Sequence, residues 1–194
     1  MRKRTNPECG FSLIEALVVV SIAFAMLAIA VPSFLQAYRS YQLDNTAGQV
    51  AGVLKSTRAD AIRLNTQVNC IIQVAGGQTN MWSASDGTLI EKSTEKQILL
   101  SGNVNLVAAG VVPNTGGLTG AIGVPVLTAT PLNGVADTFD GRGAANPAAP
   151  PGVFVLYVGN TAIPAVGYRA VILMPSGSIQ VWSADSAGSW HQTS

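Results

Sequence analysis

Gly10-Phe11-Ser12-Leu13-Ile14-Glu15 leads into an almost unbroken apolar run from Ala16 to Val31, and Arg2-Lys3-Arg4 stands in front of it. Phe11 to Val31 is 21 residues, which as a helix reaches about 30 Å, the thickness of a bilayer core. The cations precede the run and the next one is Arg39. The positive-inside rule therefore places the N-terminus in the cytoplasm and residues 32–194 across the membrane. One carboxylate, Glu15, interrupts the apolar composition. An ionised side chain near the end of a membrane helix costs about 2–3 kcal/mol and calls for a partner. No cation occurs between Phe11 and Gln36, so that partner is another chain, the chain's own N-terminus, or interfacial water.

The segment can be read in three ways. An uncleaved anchor accounts for its length and orientation but gives Glu15 no role. A secretory signal finds a small-residue cleavage site in Ala28-Ile29-Ala30, yet Glu15 interrupts the junction of its basic and apolar regions. The third reading rests on resemblance. Gly10 to Glu15 plus the apolar run resembles the class III signal of type IV prepilins and type II secretion pseudopilins. The resemblance implies that a prepilin peptidase cuts between Gly10 and Phe11 and N-methylates Phe11. It also implies that Glu15, fifth in the mature chain, is an assembly contact, and that Pro32 stands at the proline position typical of these helices. The chemistry agrees: Gly10 leaves the scissile backbone unobstructed, and the α-amino group of Phe11 on a neighbouring subunit would pair Glu15 in hydrocarbon.

Beyond Pro32, which predicts a helix kink near Ala28 to Pro32, apolar residues recur at helical spacing. Leu43, Ala47, Val50, Leu54, Ala61 and Leu64 form a stripe, with Asp44, Gln49, Lys55, Asp60 and Arg63 on other faces. The pattern predicts one helix from about Phe11 to Asn65, its second half packed on a sheet. Gly48 and Gly52 share a helical face, which points to close approach of the sheet or to a contact between subunits. From Gln67 the period becomes two. Val68–Val74 and Asn80–Ser83 read as a hairpin about Gly76-Gly77, with another turn at Asp86-Gly87. Further strands are predicted at Gln97–Leu100, Val104–Ala108, Gly152–Val158, Tyr168–Met174 and Ser178–Trp182, the last two joined by Pro175-Ser176-Gly177. Residues 110–152 hold 9 Gly and 6 Pro; the composition predicts a long surface excursion without a helix, in which Val124–Thr128 and Asp137–Phe139 pair briefly, and a candidate region for partner contact.

Catalytic chemistry finds little material. His191 is the sole histidine and reads as a tail or surface residue. Asp137 and Asp140 are too sparse for a calcium cage and read as turn caps. Gly76-Gly77 and Gly141-Arg142-Gly143 lack the lysine and context of a phosphate loop. Cys70 reads as a small core residue, and Trp82, Trp182 and Trp190 as packing residues. No catalytic residue, cofactor or metal is expected. The whole chain carries +1; without residues 1–10, three cations and Glu8 are removed, leaving eight basic and nine acidic residues. That balance argues against nucleic acid as a partner.

Three short motifs refine the resemblance. Ala59-Asp60-Ala61-Ile62-Arg63, Phe139-Asp140-Gly141-Arg142-Gly143 and the strand–Pro175-Ser176-Gly177–strand hairpin are similar to the GspH/FimT group of minor pseudopilins and minor pilins. The expectation is an α+β, pilin-like chain: leader 1–10 removed, transmembrane and assembly helix 11–32, amphipathic continuation 33–66, and periplasmic β-rich domain 67–194 on small antiparallel sheets. The implied function is a non-enzymatic minor pseudopilin of a type II secretion pseudopilus, or alternatively a FimT-like minor pilin. The implied partners are prepilin peptidase, other pilins or pseudopilins along the N-terminal helix, and inner-membrane lipid.

Overall fold

The computed structural model describes residues 12–75, 78–85, 97–100, 103–145, 152–160 and 162–193. One helix, α1, runs from Leu13 to Leu64, and the chain divides after Tyr38 into two compact units. In the first unit every described residue is exposed, although the helix there is apolar all round. A helix of that kind needs an apolar surrounding.

In the second unit α1 buries Leu43, Ala47, Val50, Leu54, Thr57 and Ala61, steps of three and four residues that hold one face toward a core. Leu64, expected on that stripe, is exposed because the helix is closing. Asn65 adopts φ 47° and the Thr66 N–H reaches back to the Ala61 carbonyl at 3.2 Å, a left-handed closure that satisfies a terminal carbonyl.

Two sheets follow. In the first, β1 (Val68–Ala75) and β2 (Gln78–Ala84) form the expected hairpin; its Gly76-Gly77 turn, like Asp86-Gly87, lies outside the described residues. With β3 (Gln97–Leu100) and β6 (Gly134–Phe139) the order is β3-β2-β1-β6, antiparallel throughout. The second sheet contains β4 (Asn105–Val107), β7 (Phe154–Gly159), β8 (Tyr168–Leu173), β9 (Ile179–Ala184) and β10 (Trp190–Gln192), in the order β10-β9-β8-β7-β4. The short β5 (Thr128–Ala129) pairs parallel with β7. The layout is α+β, a long N-terminal helix followed by antiparallel sheets. One core joins the α1 stripe to Cys70, Ile72 and Met81 of the first sheet and to Leu156, Val158, Val171 and Leu173 of the second.

Residues 110–152 depart from the expected helix-free excursion. α2 (Thr115–Ile122) lies within them, started by Asn114, whose Oδ1 accepts from the Gly117 N–H at 3.0 Å, and ended at Gly123 with φ 76°. Its Leu118 is 0% exposed and packs with Tyr157, Tyr168, Ala170, Ile172 and Trp182 on the face of the second sheet turned away from α1. Burying that leucine contributes about 1.5–3 kcal/mol. That is comparable with the helix penalty of about 1 kcal/mol for each of its three glycines, Gly116, Gly117 and Gly120. β5 and β6 do not pair with each other: β5 joins β7 and β6 joins β1. Residues 146–151 lie outside the described residues. At the C-terminus His191 sits in a paired strand, β10, and is exposed there, the surface position expected of it.

Candidate functional site

Gly10 and Phe11 lie outside the described residues. Glu15 occupies the first turn of α1, where a carboxylate favours the helix dipole, and it makes no ion pair among the described residues. The Glu15 and Ala16 N–H groups both donate to the Ser12 carbonyl, at 3.0 and 3.1 Å. An 18-residue window of this helix has a mean hydropathy of 2.6 with none of it buried, long and apolar enough to cross a membrane. Pro32 is inside the helix, which is continuous through it; lacking an N–H, it leaves the Ala28 carbonyl without its usual donor. Phe34 and Tyr38 stack with ring centroids 6.5 Å apart, and Arg39 follows. An aromatic pair beside the first cation after an apolar run is the composition of a membrane–water boundary.

The three short motifs meet at the far end of α1. Arg58 donates from Nε to the Gly143 carbonyl at 2.9 Å and from Nη2 to the Ser176 carbonyl at 3.4 Å. Asp140 Oδ1 accepts from the Arg142 and Ala144 N–H groups, each at 2.9 Å, which is the turn-capping role expected of it. Added Cβ atoms would collide here: on Gly177 (φ 76°) 1.9 Å from the Gly143 oxygen, on Gly143 (φ 78°) 2.6 Å from Ile62 Cδ1. The glycines are there for close approach of two turns and a helix, not to cradle phosphate. At the other end of the domain's helix, Arg169 of β8 donates from Nε to Asp44 at 2.5 Å and from Nη2 to Ser40 Oγ at 3.0 Å. Arg63 pairs with Asp60 at 3.4 Å on the surface.

Gly48 and Gly52 correct the close-approach reading, since a Cβ on either meets nothing within 4 Å. They lie on an open face. A nearby groove of about 360 Å³ is lined by Gln42, Asn45, Thr46, Gln49, Leu99 and Asn103, amide-rich and uncharged.

Cys70 and Asp137 form a buried cluster. Cys70 is free and buried, as expected of a core residue, and burial and the facing Asp137 push its thiol pKa up. Asp137 is not a turn cap: it is buried on β6, with both carboxylate oxygens unpartnered among the described residues. The signal for this was alternation, which puts Asp137 on the face of Phe139. His191 Nε2 lies 2.6 Å from Ser183 Oγ, a pairing that sequence distance concealed. Asp185 Oδ1 accepts from Ala187 and Ser189 N–H groups, which lowers its pKa and makes it a turn residue. Trp82 and Trp182 are buried, and Trp190 donates to the Asn114 carbonyl at 3.1 Å. Among the described residues no group of three His, Cys, Asp or Glu is placed to hold a metal. No family model, curated protein or solved structure matches the chain.

Proposed function

We propose that the chain is a structural subunit of a membrane-rooted filament: matured by prepilin peptidase at Gly10–Phe11, methylated on Phe11, and assembled through its N-terminal helix. The observation that carries this is α1. A membrane-length apolar stretch, wholly exposed in the isolated chain, continues as the core helix of a β-rich domain. Glu15, with no ion-pair partner among the described residues, takes the α-amino group of Phe11 on a neighbouring subunit. In hydrocarbon such a pair sets the register of stacked helices. The N-terminus is cytoplasmic and the domain periplasmic.

Within this reading, a minor pseudopilin of a type II secretion system is favoured over a FimT-like minor pilin that takes up DNA. Residues 170–194 contain no Lys or Arg, and Arg58 and Arg169 are engaged inside the domain. These two arginines are therefore not available to the free basic surface that phosphate binding needs. The test is the intact mass of the chain produced alongside a prepilin peptidase. A mature N-terminus at methylated Phe11 supports the proposal; one at Val31, or an unprocessed Met1, refutes it. Glu15→Ala should be processed normally yet fail to enter filaments.

A further inference from the structure

Asp137 is 5% exposed, and neither carboxylate oxygen has a hydrogen-bond partner among the described residues. Its position follows from a bulge. The pairing of β6 with β1 steps from Cys70↔Asp137 to Ile71↔Val135, leaving Ala136 unopposed, and Ala136 and Asp137 are both buried. The group facing Asp137 is the Cys70 thiol from β1; the Thr57 hydroxyl from α1 lies against the Cys70 sulfur and donates to the Val53 carbonyl at 2.9 Å. Arg58, next to Thr57 on α1, directs its guanidinium to the Gly143 and Ser176 carbonyls, and Asp140 is bonded into its own turn. The second sheet contributes Leu156, Val158, Val171 and Leu173 to the shared core, all apolar. An ionised carboxylate so shielded from solvent, with no cation against it among the described residues, is far costlier than the neutral acid.

We propose that Asp137 is a proton-operated latch on β6: with its carboxyl neutral the edge strand stays seated on β1, and on ionisation the strand opens at the bulge beside Asp137 to bring the carboxylate to water. β6 is the strand able to move, because it ends its sheet, its ladder to β1 is already interrupted at the bulge, and beyond that ladder one bridge, Phe139 to Ala145, holds it among the described residues. Opening releases one proton to solvent and breaks no covalent bond. Burial pushes the carboxyl pKa up to about 8. A raised folded-state value means that the closed strand holds the proton. Its extra stability is complete below the ordinary carboxylate pKa of about 4 and is lost as pH rises through about 8. The latch is a property of the domain and does not depend on the proposed function.

The test is hydrogen exchange of the full chain in detergent micelles from about pH 5 to pH 7.5, followed by mass spectrometry of peptides spanning residues 134–139 and corrected for intrinsic exchange. Release of one proton raises the opening constant about tenfold per pH unit, and Asp137→Asn should flatten that slope. A flat wild-type profile overturns the latch, as does an unchanged slope in Asp137→Asn. An equal slope in β8 amides also overturns it, because the effect is then global. If Asp137→Asn does not fold, Asp137→Ala is the second uncharged variant, and a flat wild-type slope remains decisive by itself.

Discussion

Gly177→Ala tests the convergence of turns on Arg58. At φ 76° an alanine is strained by about 1–2 kcal/mol. Its Cβ would also stand 1.9 Å from the Gly143 oxygen, a distance no contact tolerates, so that carbonyl must move. The same oxygen accepts from Arg58 Nε at 2.9 Å, and a hydrogen bond to a charged group contributes about 1.5–3 kcal/mol. The expected loss is their sum, about 2.5–5 kcal/mol. For a domain of this size that lowers the unfolding midpoint by roughly 5–20 °C. The assay is thermal unfolding of the full chain in detergent, followed by near-ultraviolet circular dichroism, for Gly177→Ala, Arg58→Ala and the double variant. If both act through one carbonyl, the double variant loses little more than Gly177→Ala alone. Strict additivity, or a Gly177→Ala loss below about 1 kcal/mol, would refute the reasoning.

Leu118→Ala should cost about 2–5 kcal/mol by opening a cavity between α2 and the second sheet; denaturant melts would read it, and a neutral result would mean that α2 does not cover that face. Gly48→Ala should stabilise the isolated domain by about 1 kcal/mol, because the position is helical and the new methyl group meets open space. A loss of stability in the same melts contradicts the open face. Asp44→Ala should destabilise by about 1–2 kcal/mol, less than a fully buried pair, because the Asp44 side chain is 51% exposed while Arg169 is buried. Asp44→Glu should recover part of the loss, and failure of both to move the midpoint would make the pair incidental.

What is encoded at short range was legible. The apolar run, the stripe from Leu43 to Ala61 and the turn at Pro175-Ser176-Gly177 each depend on neighbours a few residues away. Helix α1 and strands β3, β7, β8 and β9 accordingly lie where periodicity puts them, with ends shifted by a residue or two. The expected kink at Pro32 leaves α1 unbroken as an element, since a proline removes one donor and the flanking turns keep theirs. β10 was missed because three residues carry no usable period, and its pairing with β9 supplies what the local sequence lacks.

The membrane-length helix with Glu15 near its start, and the α+β order of elements, were thus determined by the sequence alone. Tertiary structure decided the rest. Only the folded domain brings Arg58 to Gly143, 85 residues on, and to Ser176, 118 residues on. It turned the Gly- and Pro-rich stretch into a covering layer, because a second apolar face of the sheet was there to be buried. It left Gly48 and Gly52 on an open face, and placed an uncompensated carboxyl beside Cys70. Each of these depends on what stands opposite a residue in space, and a linear pattern does not specify that.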